Sequence, residues 1–267
     1  FKKYLFYLYA LAKYQKLRHF TFYENTEVKI NNSQFHDFSK KMKAIEGMST
    51  IANAWIINQI ASGLDKDQNY LNIGCWKGFS LIAGMINTNC KVFGVDNFSW
   101  VDAPRNEFYK NFNNYKNNEK HFFHDGDYVN FLKEWEGMKE YIDFYFFDGP
   151  HTYKDQYQSL ELASNFFKTG TIILVDDTNW EEPREATMDF INNNGGFTIV
   201  LWYRRGAIND VSLLGQRSTE DGQIAAGNVN YHIIQISPTN RDLLDPTSRV
   251  GRVLQSLKFD TATMRQV

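Results

Sequence analysis

Only two cysteines, Cys75 and Cys90, occur in 267 residues. That count excludes a disulfide-stapled secreted scaffold, no Cys/His spacing suits a zinc site, and the chain reads as one suited to a reducing cytoplasm. Charge of one sign is also missing. A formal net charge of −2 at pH 7 gives no global field for nucleic acid or an acidic membrane surface. The apolar opening "KKYLFYLYALAKYQK" breaks at Lys13, too short to span a bilayer and without a small-residue cleavage site. It reads instead as a helix with Leu5, Leu8 and Ala12 on one face, packing on the domain or against a second copy of the chain. There is no internal repeat and no low-complexity linker. The polar, lysine-rich stretch 24–43 is expected to be a connecting loop.

What is present is enough to build a large core: 43% of residues are hydrophobic and 22% charged, so disorder is not the default. Aromatics reach 16%, which reads first as packing material. A helix is expected from Ser49 to about Gly63. From there apolar runs alternate with helical patterns. Strands are expected at 69–74, 91–96, 121–127, 141–148, 171–177, 197–204 and 231–237. Helices are expected at 80–86, 104–117, 128–138, 153–168 and 182–193. This order predicts an α/β fold with a mainly parallel sheet covered on both faces. The last two strands lack a crossover helix, so one of them is expected to be antiparallel. In such sheets ligands bind beyond the carboxyl ends of the strands, and here those ends carry the polar clusters.

The first strand runs into "NIGCWKGFS". Gly74 and Gly78 form G-x-x-x-G with Trp76 between them, so the dinucleotide fingerprint G-x-G-x-x-G is absent. A glycine turn without a phosphate nest suits a cofactor without phosphates. Asp96 closes the next strand about twenty residues on, where an acid accepts from both ribose hydroxyls. Asp127, at the end of the third strand, is placed to meet an adenine amino group. Singly, each feature is as well explained by a turn or a helix cap. Together and in this order they favour a nucleoside site.

At the other end, "FFDGPHTY" delivers Asp148 and His151 on a Gly-Pro corner, and "ILVDD" delivers Asp176 and Asp177. Carboxylates converging from neighbouring strands repel and raise one another's proton affinity. A hard divalent cation with oxygen ligands, Mg²⁺ first, resolves this; the competing reading is an Asx-turn at Asp148 and a cap at Asp177. An imidazole beside such a cation is a suitable base for a hydroxyl proton. Trp180, Glu181 and Glu182 follow the acid pair and either line an acceptor pocket or form a solvated helix start.

The stretch from about Asn69 to Ile191 resembles the class I S-adenosylmethionine-dependent methyltransferases. More narrowly, "GCWKGFS", "DGPHTY" and "ILVDD" resemble the macrocin-type sugar O-methyltransferases. The resemblance implies a Rossmann-like seven-stranded, mostly parallel sheet with its last strand antiparallel. The chain is accordingly divided into an N-terminal helical extension over 1–45, on which the resemblance is silent, and an expected methyltransferase domain over 46–267. The resemblance also implies S-adenosylmethionine held by Gly74, Cys75, Gly78, Asp96, Asn97, Asp127 and Asp148, with Mg²⁺ on Asp148, Asp176 and Asp177. His151 is then the base, working beside Asp148. The acceptor is a small-molecule hydroxyl, a sugar by resemblance. Catechol-type enzymes are similar in plan but carry lysine where His151 stands. Asn72 departs from the pattern, which places an acid two residues before the first glycine. Two alternatives stay open: a same-fold metal-dependent enzyme with hydrolase- or hydroxylase-like chemistry, and a nucleoside-binding module that has lost turnover.

Overall fold

Successive side chains of a strand face opposite sides of the sheet, and here both sides are apolar. In β2 (Asn69–Ile73), β5 (Ile142–Phe147) and β6 (Phe167–Val175), the residues Tyr70, Phe144, Phe146, Ile172 and Leu174 enter one core. Leu71, Ile73, Tyr145, Phe147, Ile173 and Val175 enter the other. Helices must therefore cover both faces. The computed structural model describes residues 21–24, 33–49, 51–100, 104–178, 180–194, 197–204, 230–236 and 265–266. The expected N-terminal helix with Leu5, Leu8 and Ala12 lies outside them.

With β3 (Lys91–Asp96) and β4 (His121–Asp125), the parallel part of the sheet runs β4-β3-β2-β5-β6. Chain order reverses between β2 and β5, and this opens a crevice beyond their carboxyl ends. The sheet continues through β8 (Asn230–Ile236), antiparallel to β6 and to β7 (Phe197–Arg204). The short β1 (Thr21–Glu24) and β9 (Arg265–Gln266) bring the described strands to nine, against the seven expected.

One face carries α1 (Ser33–Met42), α2 (Ile51–Ser62), α3 (Phe79–Met85) and α4 (Arg105–Tyr115). The other carries α5 (Tyr128–Met138), α6 (Tyr153–Ser164) and α7 (Glu181–Asn193). Helix α5 shows why these segments are helical: Tyr128, Phe131, Leu132 and Trp135 form one buried stripe, and Asp127 caps its start. Helix α2 is apolar nearly all round because it is packed between helices. Its buried Asn58 donates to the carbonyls of Ala83 and Ile86, both at 2.8 Å, and so satisfies the end of α3. Tyr70 and Phe144, directly opposite in β2 and β5, stack at 4.4 Å.

Helix α1 corrects the expectation of a loop over 24–43. Phe35, Phe38 and Met42 are buried at helical spacing among lysines, with Phe38 set against Trp55 at 5.1 Å. The helix expected to reach residue 168 ends at Ser164, because Phe167 already pairs with Ile142 as the first residue of β6. Likewise β4 ends at Asp125, and Asp127 belongs to the following helix as its cap.

Candidate active site

Backbone hydrogen bonds knit the strand ends into one rim. Gly74 N–H donates to Val95 O, Asp148 N–H to Ile73 O, Gly126 N–H to Asp96 O and Asp176 N–H to Phe147 O, at 2.9 to 3.2 Å. The turn after β2 has Gly74 at φ +82, Trp76 at φ +45 and Gly78 at φ +92. A Cβ on Gly74 would stand 1.9 Å from the carbonyl oxygen of Asp148, so only glycine lets the ends of β2 and β5 approach this closely.

Asp96 holds that turn. One carboxylate oxygen accepts from the N–H groups of Cys75 and Trp76, both at 2.7 Å, and the other from Phe98 N–H at 2.7 Å. The expected cofactor acid therefore lies beside the glycine turn, with its oxygens engaged by backbone amides. Cys75 is buried, and burial raises its thiol well above the ordinary value, which makes it an inert packing group. Asn97 turns its side chain to Ser99 N–H at 3.0 Å. Asp127 accepts from Val129 N–H and Asn130 N–H at 2.9 and 3.3 Å, so its carboxylate serves helix α5. Asn72 is fully buried. Its oxygen accepts from Ser80 Oγ at 2.9 Å and its amide donates to Gly74 O at 3.2 Å, tying the glycine turn to α3.

Past the ends of β3 and β4 stands a cluster that no sequence motif marks. Arg105 pairs with Asp125, which also accepts from Tyr109 Oη at 3.2 Å, and the guanidinium lies 4.8 Å from the Phe98 ring. The only hint in the sequence is Asp125 at a strand end.

Asp148, His151 and Asp177 do meet. His151 Nε2 is 3.6 Å from Asp148 Oδ1 and 3.5 Å from Asp177 Oδ2. Both are ion-pair separations and too long for firm hydrogen bonds, and this buried nitrogen has no hydrogen-bond partner. Burial opposes a charged imidazole, yet the two carboxylates outweigh it and raise His151 above its usual value. Burial also raises Asp148 and Asp177, with His151 opposing the rise in both. Asp177 adopts φ +48, a left-handed conformation that Asp tolerates better than most residues. Asp176 is buried, and its Oδ1 accepts from Asp177 N–H at 2.7 Å. Trp180 is 53% exposed, and its ring meets that of His151 edge-on at 5.0 Å. Glu182 is exposed and accepts from Tyr153 N–H at 2.8 Å.

Among the described residues, no group of three or more His, Cys, Asp or Glu side chains is assembled to hold a metal ion. The donor chemistry nevertheless fits a hard divalent cation. Asp148 and Asp177 present hard oxygen donors from neighbouring strand ends, and burial raises both carboxyls above their usual range. No described helix is long and apolar enough to cross a membrane.

Residues 71–178 match the model of a family described as a methyltransferase domain. The fold is similar to that of an O-methyltransferase from Bacillus cereus solved in complex with SAH. The TM-score is 0.51 at 15% identity, covering 79% of this chain and 93% of that one. It is similar also to a Klebsiella pneumoniae protein assigned as an O-methyltransferase, with TM-score 0.52 at 12% identity and coverage of 79% and 92%. At these identities the structural likeness speaks for the fold. No curated protein matches the chain. The matched segment spans the glycine turn, Asp96, Asp148, His151, Asp176 and Asp177, so the rim described above lies within the stretch that is similar to a methyltransferase domain.

Proposed function

We propose that this chain, similar to a methyltransferase domain over residues 71–178, is an S-adenosylmethionine-dependent O-methyltransferase acting on a small-molecule hydroxyl, a sugar or other diol. One observation carries the reading. A buried imidazole nitrogen without a hydrogen-bond partner lies between carboxylates from two strand ends, beside a glycine turn at the switch point of a parallel sheet.

S-adenosylmethionine supplies a methyl group already activated by its positive sulfur. In the reaction the sulfur–carbon bond breaks, a carbon–oxygen bond forms on the acceptor, and the hydroxyl proton passes to His151 Nε2. Asp148 and Asp177 stabilise the imidazolium that results, as their effect on His151 indicates. Gly74 lets the glycine turn pack directly against the Asp148 backbone, which fixes the rim of the crevice. Asp96 serves the ribose once its carboxylate exchanges an amide partner for a hydroxyl. Mg²⁺ would be held by Asp148 and Asp177 with Asp176 adjoining, and when bound it would supply Lewis acidity that eases loss of the hydroxyl proton. The chain is expected to work in the cytoplasm.

His151→Ala is expected to cut methyl transfer by about 10²–10⁴-fold while S-adenosylmethionine still binds, followed by release of labelled methyl and by calorimetry. Loss of cofactor binding in this variant would refute the role given to His151. Asp177→Asn is expected to raise the Mg²⁺ concentration needed for half-maximal activity, and an unchanged requirement would remove the metal from the account.

A further inference from the structure

The turn that carries His151 is moored to the helix that follows the second acid-bearing turn. Tyr153 is the first residue of α6, two positions past His151. Its backbone N–H donates to Glu182 Oε2 at 2.8 Å, and its hydroxyl donates to Asp189 Oδ2 at 3.0 Å. Glu182 and Asp189 are seven residues apart on α7, about two turns, and so lie on one face of that helix. The same face reinforces the join: the Tyr153 ring lies nearly parallel to Tyr157 at 6.1 Å, and Tyr157 meets Phe190 edge-on at 6.0 Å.

This arrangement is more than a helix cap. Thr152 already caps α6, its hydroxyl accepting from Asp155 N–H at 3.1 Å. Tyr153 N–H is another of the amides left free at a helix start, and its acceptor comes from a different element. Glu182 therefore joins two structural units as well as satisfying a donor. Those units are the ones whose separation matters. One bears Asp148 and His151. The other bears Asp177 and Trp180, with Trp180 N–H donating to Asp177 O at 2.9 Å.

His151 itself has little else to fix it. Its Nε2 has no hydrogen-bond partner, and its two carboxylate neighbours stand at 3.5 and 3.6 Å. The placement of the ring therefore depends on the backbone of its turn and on the edge-on contact with Trp180 at 5.0 Å. We propose that Glu182 and Asp189 are positioning residues which, through Tyr153, hold the His151 imidazole between Asp148 and Asp177. This rests on the reading of His151 as the base, since only a group that must meet a reacting atom gains from such mooring.

The test uses the full chain without ligand, with labelled histidine, and reads the His151 ring resonance by NMR, assigned through His151→Ala. Trp180→Ala defines the position of that resonance when the edge-on contact is lost. In the double variant Glu182→Ala, Tyr153→Phe, the resonance is expected to move toward its Trp180→Ala position. In Glu182→Gln, which keeps an acceptor oxygen, it is expected to stay near the wild-type position. With S-adenosylmethionine present, the double variant is expected to lose about tenfold in kcat with cofactor affinity unchanged. Tyr153→Phe and Glu182→Gln change exposed groups conservatively and serve as folded controls. An unmoved resonance in the double variant overturns the proposal, as does a Gln variant that behaves like the double variant. Full methyl transfer in His151→Ala would instead overturn the reading of the base and leave the ring measurement standing.

Discussion

His151 is pulled two ways, and its titration reads the balance. Burial favours the neutral ring, but Asp148 and Asp177 prevail and raise its pKa. A raised pKa means that this group adds stability below its unfolded value of about 6.5, a contribution lost as pH rises through the folded value. In the metal-free chain, an NMR titration is expected to place the His151 midpoint above about 6.5, and Asp177→Asn should bring it down. A wild-type midpoint at or below that value contradicts the electrostatic account. His121 behaves in the opposite sense. Its Nδ1 accepts from Asn117 N–H at 2.9 Å, and burial, helped by Lys120, lowers it to about 4. A depressed histidine adds stability above about 6.5 that is lost as pH falls toward the folded value. Denaturant unfolding of wild-type protein should weaken between pH 6.5 and 4, and His121→Gln should weaken less over the same window. Equal loss in both proteins would dismiss His121 as the cause.

Among the elements, the glycine turn and the α2–α3 contact carry the sharpest consequences. Gly74→Ala places a Cβ 1.9 Å from a backbone oxygen at φ +82, a clash that no flexible side chain can relieve. It is expected to destabilise by more than about 1 kcal/mol and to abolish cofactor binding, as read by denaturant unfolding and calorimetry. Asn58→Ala leaves two carbonyls at the end of α3 without their donor and is expected to cost about 1–3 kcal/mol. A change within error would mean that those carbonyls are satisfied otherwise. The alternation of elements from β2 to α7 was legible because each strand is a short apolar run closed by a glycine or an acid. Helix α1 was not, since its three apolar anchors are diluted by lysine and serine. The start of β6 was hidden too. Phe167 reads equally as the end of a helical stripe, and only its pairing with Ile142 decides for the strand.

In the molecule as a whole, the row of strand ends could be read from the sequence, but the partners chosen by its side chains could not. Asp148, His151 and Asp177 stand together because β5 and β6 are neighbours and both turns face the crevice. Asp127 and Asp96 illustrate the limit. Spacing placed both acids near the nucleoside end, but nothing in the spacing revealed that one caps α5 and the other holds the loop amides. The Arg105–Asp125–Tyr109 cluster joins groups from α4 and β4 that only the tertiary fold brings together. The central claim is that this crevice binds a sulfonium methyl donor against the glycine turn and Asp96. Calorimetric titration of the full chain with S-adenosylmethionine, beside the Asp96→Ala variant, tests it most directly. The account predicts saturable one-site binding by wild-type protein and markedly weaker binding by the variant. No binding by the wild-type chain, or equal binding by both, would contradict it.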